Sequence, residues 1–191
     1  MSIASYIVIA LALALSNMLQ FRRSGEVTPI RLSTGVFVAL LIAVVHSALY
    51  YLGGAIGSLL RISSPDSPTM YADVNAYIFL GLAIVVAVKL VFPYLKRNPQ
   101  LPVFRLDQLQ SVFAMALATG INVCLVGIGT GFVESGQAFH RMVWPMLACT
   151  FLFGYLGLMF GRQKVQMRPR RWIVIAGVLL VGVGIAAVVN V

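Results

Sequence analysis

Negative charge is scarce in this chain. Of its 191 residues only five are Asp or Glu, against 14 Lys and Arg, which gives a formal net charge of +9. The five acids lie outside the apolar runs or near their ends: Glu26, Asp66, Asp73, Asp107 and Glu134. Only two His and two Cys are present, and no Ser/His/Asp constellation, phosphate-binding loop or metal-spaced Cys/His cluster appears. The sequence therefore predicts a protein that is not an enzyme and that needs no cofactor.

Charged residues of both signs amount to 10% of the chain, whereas a soluble domain carries about 25%. Hydrophobic residues make up 60%, and six apolar runs approach or exceed the 20 or so residues that cross a bilayer. The runs cover residues 2–20, 35–60, 74–95, 109–133, 142–160 and 172–190. They predict an all-α integral membrane protein with six transmembrane helices, in a single domain over residues 1–191. The first run has no basic leader, so we expect a retained helix there instead of a signal peptide.

The basic residues are distributed unevenly between the loops. Eleven follow the first, third and fifth runs, two follow the second and fourth, and Lys89 lies inside the third. The two on the poorer side are Arg61 and Arg141. Because cytoplasmic loops carry the Lys/Arg excess, this bias predicts that both termini lie outside and the basic loops inside. We expect those loops to contact anionic lipid headgroups, and a nucleic-acid partner is not needed to explain the charge.

The chain also contains a weak internal repeat. Run 2 ends in "YLGGAIGSLLR" from Tyr51 and run 5 ends in "YLGLMFGRQ" from Tyr155, and both read Tyr-Leu-Gly, three residues, Gly. Runs 1 and 4 each carry an Asn after a series of small residues, Asn17 and Asn122. Chance similarity between apolar helices is the alternative. We predict two inverted three-helix repeats, about 1–97 and 105–191, with the two amides at equivalent depth near their meeting point.

Glycine and polar residues share helix faces in the later runs. At helical spacing Thr119, Asn122 and Gly129 lie on one face of run 4. Glycine allows close helix approach in lipid, so a set of glycines is predicted to pack helices together: Gly53, Gly57, Gly127, Gly129, Gly154, Gly157 and Gly161. Asn122 on such a face forms either an interhelical hydrogen bond or part of a polar path. Cys124 and Cys149, both within apolar runs, are predicted to be small packing residues without a disulfide.

These residues carry a family resemblance. The stretch "ATGINVCLVGIGTGF" resembles a signature of the bacterial six-helix manganese efflux pumps (MntP-type), through Ala118, Thr119, Gly127 and Gly129. "YLGLMFGRQ" is similar to the family's Leu-Gly-x-x-x-Gly-Arg motif. The resemblance extends over the whole chain in length, number of spans and charge pattern. It implies a transport function in a bacterial inner membrane.

The resemblance also implies which residues line the path, and there this chain departs from the family. Acidic family positions correspond to Asn122 and Asn17, a family glutamate corresponds to His46, and the basic position is kept as Lys89. A substrate path is therefore predicted along Asn17, His46, Lys89, Thr119 and Asn122, with Asn17, His46 and Asn122 as candidate metal ligands. Mn²⁺ prefers carboxylate, carbonyl and water oxygens, whereas imidazole suits softer metals.

Two of these residues have a simpler interpretation. Lys89 could extend to the cytoplasmic surface along its apolar stem instead of acting as a counter-charge inside the bundle. His46 could hydrogen-bond Tyr50 instead of binding a metal or carrying a proton.

Three functions remain open from the sequence. The first is a divalent-cation exporter of the manganese type with altered or weakened metal selectivity. The second is a membrane subunit on the same fold that transports nothing and binds a protein partner. The third is a transporter of a neutral or anionic solute, which a positively charged interior would suit.

Overall fold

A computed structural model describes residues 1–61, 68–95, 102–134, 141–165 and 169–189. These residues form six helices and contain no β-strand. The helices are α1 (Ile3–Val27), α2 (Leu32–Leu60), α3 (Pro68–Leu95), α4 (Leu109–Val133), α5 (Val143–Arg162) and α6 (Pro169–Val189). Each is long and apolar enough to cross a membrane. The chain is therefore an all-helical, multi-pass membrane protein, as its apolar runs predict.

The largest difference between the apolar runs and the helices is at the end of α1. The run ends at residue 20, whereas the helix continues to Val27. Gly25 packs directly against the backbone of Leu158 in α5, and Arg22 lies 3.8 Å from the Glu26 carboxylate one turn later. Helix α1 therefore continues past its apolar run where it packs on α5, so tertiary contacts and not hydrophobicity decide where this helix ends.

Glycines bring two pairs of parallel helices into backbone contact. In α2, Gly53 and Gly57 face the backbone of Cys124 and Ile128 in α4. In α5, Gly157 and Gly161 face the backbone carbonyls of Met18 and Arg22 in α1, and a Cβ on Gly157 would lie 2.5 Å from the Met18 oxygen. In lipid, where apolar surface gains nothing by leaving the solvent, such close packing is a main source of helix association.

The remaining predicted packing glycines also meet neighbouring helices. Gly127 faces the backbone of Tyr50, Gly154 faces the ring of Phe21, and Gly129 faces the ring of Phe79 in α3. Gly129 thus contacts a different helix from Gly127, although only two residues separate them, because helical positions i and i+2 point in different directions.

The set of contacting helix pairs is unchanged when α1, α2 and α3 are exchanged with α4, α5 and α6. The pairs α2–α4 and α1–α5 are related by the exchange, as are α3–α4 and α1–α6. The pairs α3–α6, α2–α5 and α1–α4 map onto themselves. Two related halves would give this pattern. The boundaries at 97 and 105 and the inverted orientation of the halves stay predictions, since residues 96–101 lie outside the described part of the chain.

Candidate functional site

A cavity of about 220 Å³, lined by apolar and polar side chains and called the polar cavity below for its hydrogen-bonding residues, lies in the bundle towards the end that carries the basic loops. Its walls come from α1, α3, α4, the start of α6 and the segment at residues 102–104. The hydrogen-bonding side chains on these walls include Ser16, Asn17, Gln20, Lys89, Thr119 and Asn122. Four of the five residues predicted for a substrate path are therefore brought to one cavity. Only His46 is outside it.

Helix α1 supplies three of the polar groups from two adjacent turns. Asn17 is 3% exposed, and Ser16 and Gln20 are also buried. The Ser16 hydroxyl donates to the Leu13 carbonyl at 2.7 Å, while the Gln20 amide donates to the Pro102 carbonyl. Sequence reasoning missed Ser16 and Gln20, although their i, i+4 spacing beside Asn17 was a usable signal.

Helix α4 supplies Thr119 and Asn122, one turn apart. The Thr119 hydroxyl donates to the Met115 carbonyl at 2.8 Å. Asn122 is 9% exposed, and no donor among the described residues reaches its buried Oδ1. An unsatisfied buried acceptor costs about 1–3 kcal/mol, so this atom calls for an explanation. Asn122 lines the cavity, but its Oδ1 is covered by neighbouring atoms, so the side chain would have to rotate to present this oxygen to a cation or a donor in the cavity.

His46 lies behind the cavity wall and is fully buried. Its Nε2 is 2.9 Å from the Thr119 hydroxyl and 3.2 Å from the Ala116 carbonyl, and its Nδ1 is 3.4 Å from the Asn17 amide nitrogen. A carbonyl only accepts and an amide nitrogen only donates, so these partners fit a neutral ring with its proton on Nε2. In this arrangement both ring nitrogens are engaged, and His46 positions Asn17 and Thr119.

The hydrogen bond expected between His46 and Tyr50 does not form, because each side chain has another partner. The Tyr50 hydroxyl pairs with Thr130 at 2.6 Å, further along the bundle. His46 is placed with Asn17 and Thr119 instead. The metal-ligand set of Asn17, His46 and Asn122 stays a prediction.

Lys89 contacts both the cavity and the outer surface of α3. Its side chain lines the cavity and also borders an apolar surface formed by Val85, Val88 and Phe92. Lys89 therefore lies where its side chain could either face the bundle interior or extend along the outer surface, which are the two interpretations made from the sequence. No carboxylate lies among the described residues that line the cavity, and the described chain holds no group of three His, Cys, Asp or Glu that could bind a metal ion.

The segment before α4 forms the wall nearest the basic loops. The Phe104 backbone N–H donates to the Ser24 hydroxyl at 3.4 Å, and the Arg105 N–H donates to the Ser111 hydroxyl at 2.9 Å. The Arg105 guanidinium donates to Asp107 at 2.8 Å, and this hydrogen bond holds the pKa of the Asp107 carboxyl below its usual value. The segment is therefore tied to both α1 and α4.

Towards the opposite end, packed apolar side chains separate the cavity from the surface. This layer is built from α1, α3, α4 and their neighbours and includes Leu13, Phe79, Val86, Val123, Val126 and Leu180. The same cluster contains Tyr50, which pairs with Thr130, and Tyr6, whose hydroxyl meets the Glu134 carboxylate beside the Met1 ammonium group. A solute could cross the bundle only if these contacts rearranged.

The glycine contacts between α2 and α4 resemble those between α5 and α1, the equivalent pair in the predicted repeat. Gly53 meets the Cys124 carbonyl as Gly157 meets the Met18 carbonyl, and Gly131 meets the Gly54 carbonyl as Gly25 meets the Leu158 carbonyl. Under the predicted repeat, matching Cys124 to Met18 pairs Asn122 with Ser16 and places Asn17 one residue away, and the equivalence of Asn17 and Asn122 stays a prediction. Both Ser16 and Asn17 line the cavity.

Comparison with known proteins adds independent information. The profile of the family Mntp, described as "Putative manganese efflux pump", matches residues 29–188. A protein of Wolinella succinogenes described as "Putative manganese efflux pump MntP 1" is 24% identical over 110 residues, which cover 56% of this chain. The match spans 58% of that relative's length. No solved structure matches this chain.

Proposed function

Because this chain belongs to the Mntp family of manganese efflux pumps, we propose that it is an exporter of a small cation whose selectivity for manganese is weakened. Six membrane-spanning helices and a polar cavity inside the bundle support a transport role. The observation that carries the proposal is the cavity itself, which brings Asn17, Thr119 and Asn122 to one place inside the bundle.

The cavity can offer a cation neutral oxygen ligands. The candidate ligands are the side-chain oxygens of three residues that line it, Asn17, Thr119 and Asn122, of which the Asn122 oxygen would first have to turn towards the cavity. Oxygen ligands suit Mn²⁺, but neutral ones do not offset the cost of removing a divalent ion from water. Lys89 lines the cavity but is also exposed on the outer surface of α3, and its ammonium group would oppose a second positive charge where it turns inward. We therefore expect low affinity for divalent ions and poor discrimination between them.

The test restores negative charge at the two amides. In cells that lack their own manganese exporter, Asn17→Asp with Asn122→Asp should raise manganese tolerance above that given by the unmodified chain. A tenfold gain in affinity would correspond to about 1.4 kcal/mol of added binding free energy, a modest demand on two carboxylates near a cation. Intracellular manganese, measured by elemental analysis, should fall in parallel, with the amount of protein in the membrane checked for each variant.

A matched control is available in Asn75→Asp. Asn75 is 2% exposed, lies in α3 and does not line the cavity, so the same chemical change there should give no tolerance. The proposal of weakened selectivity is wrong if the unmodified chain already gives full protection and Asn17→Asp with Asn122→Asp adds nothing.

A second candidate function is a carrier of a neutral or anionic solute. It is favoured by Lys89, since an ammonium group turned towards the cavity would attract an anion better than a cation. The variant Lys89→Gln distinguishes a cation exporter from an anion carrier. It should improve cation export by removing repulsion, whereas it should abolish transport of an anion. A well-expressed double aspartate variant without transport would instead favour the role of a non-transporting subunit with a protein partner.

A further inference from the structure

A groove of about 500 Å³ runs along the outer surface between α3 and α6. Almost all of its lining is aliphatic or aromatic, and it includes Val91, Phe92, Leu95, Val174, Val178 and Ile185. It is separate from the polar cavity and faces away from the bundle interior. The proposed transport function does not depend on it.

Glycines create the groove. Helices α3 and α6 meet closely where Gly184 contacts Leu80 and where Gly177 contacts Val91 and Ala87. At Gly182, between these points, a Cβ would find no heavy atom within 4 Å. Since Gly182 also lines the groove, the missing side chain at this position leaves space that the protein itself does not fill.

The groove has the length of one bilayer leaflet. From Val174 to Ile185, α6 rises about 16 Å at 1.5 Å per residue, close to half of a hydrocarbon core of about 30 Å. It begins at the end of the bundle that carries the basic loops and ends near the Gly184 contact. A single extended acyl chain from the adjoining leaflet fits this length.

Two arginines lie on the same face of α6 just beyond the end of the groove. Arg170 and Arg171 precede Val174 by four and three residues, so they lie over the same side of the helix one turn nearer the headgroups. Both side chains are exposed. Guanidinium groups bind phosphate with two parallel hydrogen bonds, a geometry that lysine cannot provide.

From this arrangement we propose that the α3–α6 groove is a binding site for an anionic phospholipid. One acyl chain lies in the groove across Gly182, and the headgroup phosphate lies between Arg170 and Arg171. A second copy of the chain fits less well, because a symmetric contact at this face would bring four arginines together and a groove of one leaflet does not accept a spanning helix.

Native mass spectrometry of the protein in detergent tests the site, with phosphatidylglycerol and phosphatidylcholine of identical acyl chains as probes. The unmodified chain should retain the anionic lipid preferentially. Replacing both arginines, Arg170→Gln with Arg171→Gln, should reduce that preference by roughly 25-fold, because each basic residue near an anionic headgroup contributes about a factor of five. Gly182→Phe should fill the groove and weaken retention of both lipids.

Each variant has a matched control. Arg162→Gln with Lys164→Gln removes the same charge at the end of α5, which packs on α1 and α2, and should leave the preference intact. Gly81→Phe adds the same side chain to α3 at another glycine whose Cβ would meet nothing within 4 Å, and should leave lipid retention intact.

Two results would overturn the site. The preference for the anionic lipid could fall equally in the Arg170/Arg171 and the Arg162/Lys164 variants. That result would mean that the preference comes from general attraction to a basic surface. The protein could instead form a dimer that persists when lipid is added and that Gly182→Phe disrupts. That result would assign the groove to a second copy of the chain. If Gly182→Phe does not reach the membrane, the arginine pair and its control still decide the matter.

Discussion

Substitution of Gly57 by Ala tests whether backbone contact between α2 and α4 holds the bundle together. A Cβ at this position would collide with the Ile128 carbonyl oxygen and would lie 2.9 Å from its carbon and 3.0 Å from the Gly131 Cα. Ordinary contact begins near 3.4 Å, and every neighbour is backbone, so no side chain can rotate away. The two helices would have to separate along their whole line of contact.

The expected cost follows from two opposing terms. Overpacking of this kind costs about 1–3 kcal/mol, while removing a glycine from a helix interior gains about 0.5–1 kcal/mol. Gly81→Ala isolates the second term, because a Cβ there meets nothing within 4 Å. Gly57→Ala should therefore destabilise and Gly81→Ala should stabilise, although the chemical change is the same.

Thermal unfolding in detergent at one fixed scan rate measures both variants. For a chain of this size, 1 kcal/mol shifts the Tm by about 2–4 °C. We expect Gly57→Ala to lower the Tm by up to roughly 10 °C and Gly81→Ala to raise it by roughly 1–4 °C. Equal shifts of the same sign would refute the view that backbone contact at glycine, and not helix propensity, determines stability here.

Two further predictions concern the ends of the helices. In a chain with Cys124 and Cys149 replaced by Ala, a membrane-impermeant thiol reagent applied from outside should label Ser2→Cys and spare Gln163→Cys, and the reverse pattern would contradict the charge-based topology. Lys164 follows α5 with a φ of 53°, a left-handed conformation, while the Val165 N–H bonds the Phe160 carbonyl. Lys164→Gly should therefore raise the Tm slightly by relieving about 1 kcal/mol of strain, whereas Lys164→Ala should not.

Helix number and placement could be predicted from sequence because the bilayer imposes a simple rule. About 20 apolar residues are needed per span, and the run at 109–133 predicts α4 to the residue. The extension of α1 to Val27 could not be predicted this way. It depends on Gly25 meeting Leu158, a contact between residues 133 positions apart in the chain.

The candidate site was predicted in part. Polar residues within an apolar helix are costly, so Thr119 and Asn122 could be identified without a structure, and both line the cavity. The place of His46 behind Asn17 and Thr119 depends on the packing of three helices and left no local signal. The same holds for Pro102 and Phe104, which close one wall of the cavity from outside the helices.

The packing of the fold and the chemistry of the cavity depend on different residues. Close contact in the α2–α4 and α1–α5 pairs rests on glycines that meet backbone, and Asn122 makes no hydrogen bond through its oxygen to any described residue. Exchange of a carboxylate for an amide at such a position removes a charge without removing a packing contact. A chain of this family can therefore keep its six-helix arrangement while the polar side chains of its cavity vary. The profile match over residues 29–188 establishes the family, and transport measurements on variants of Asn17, Lys89 and Asn122 address the solute separately.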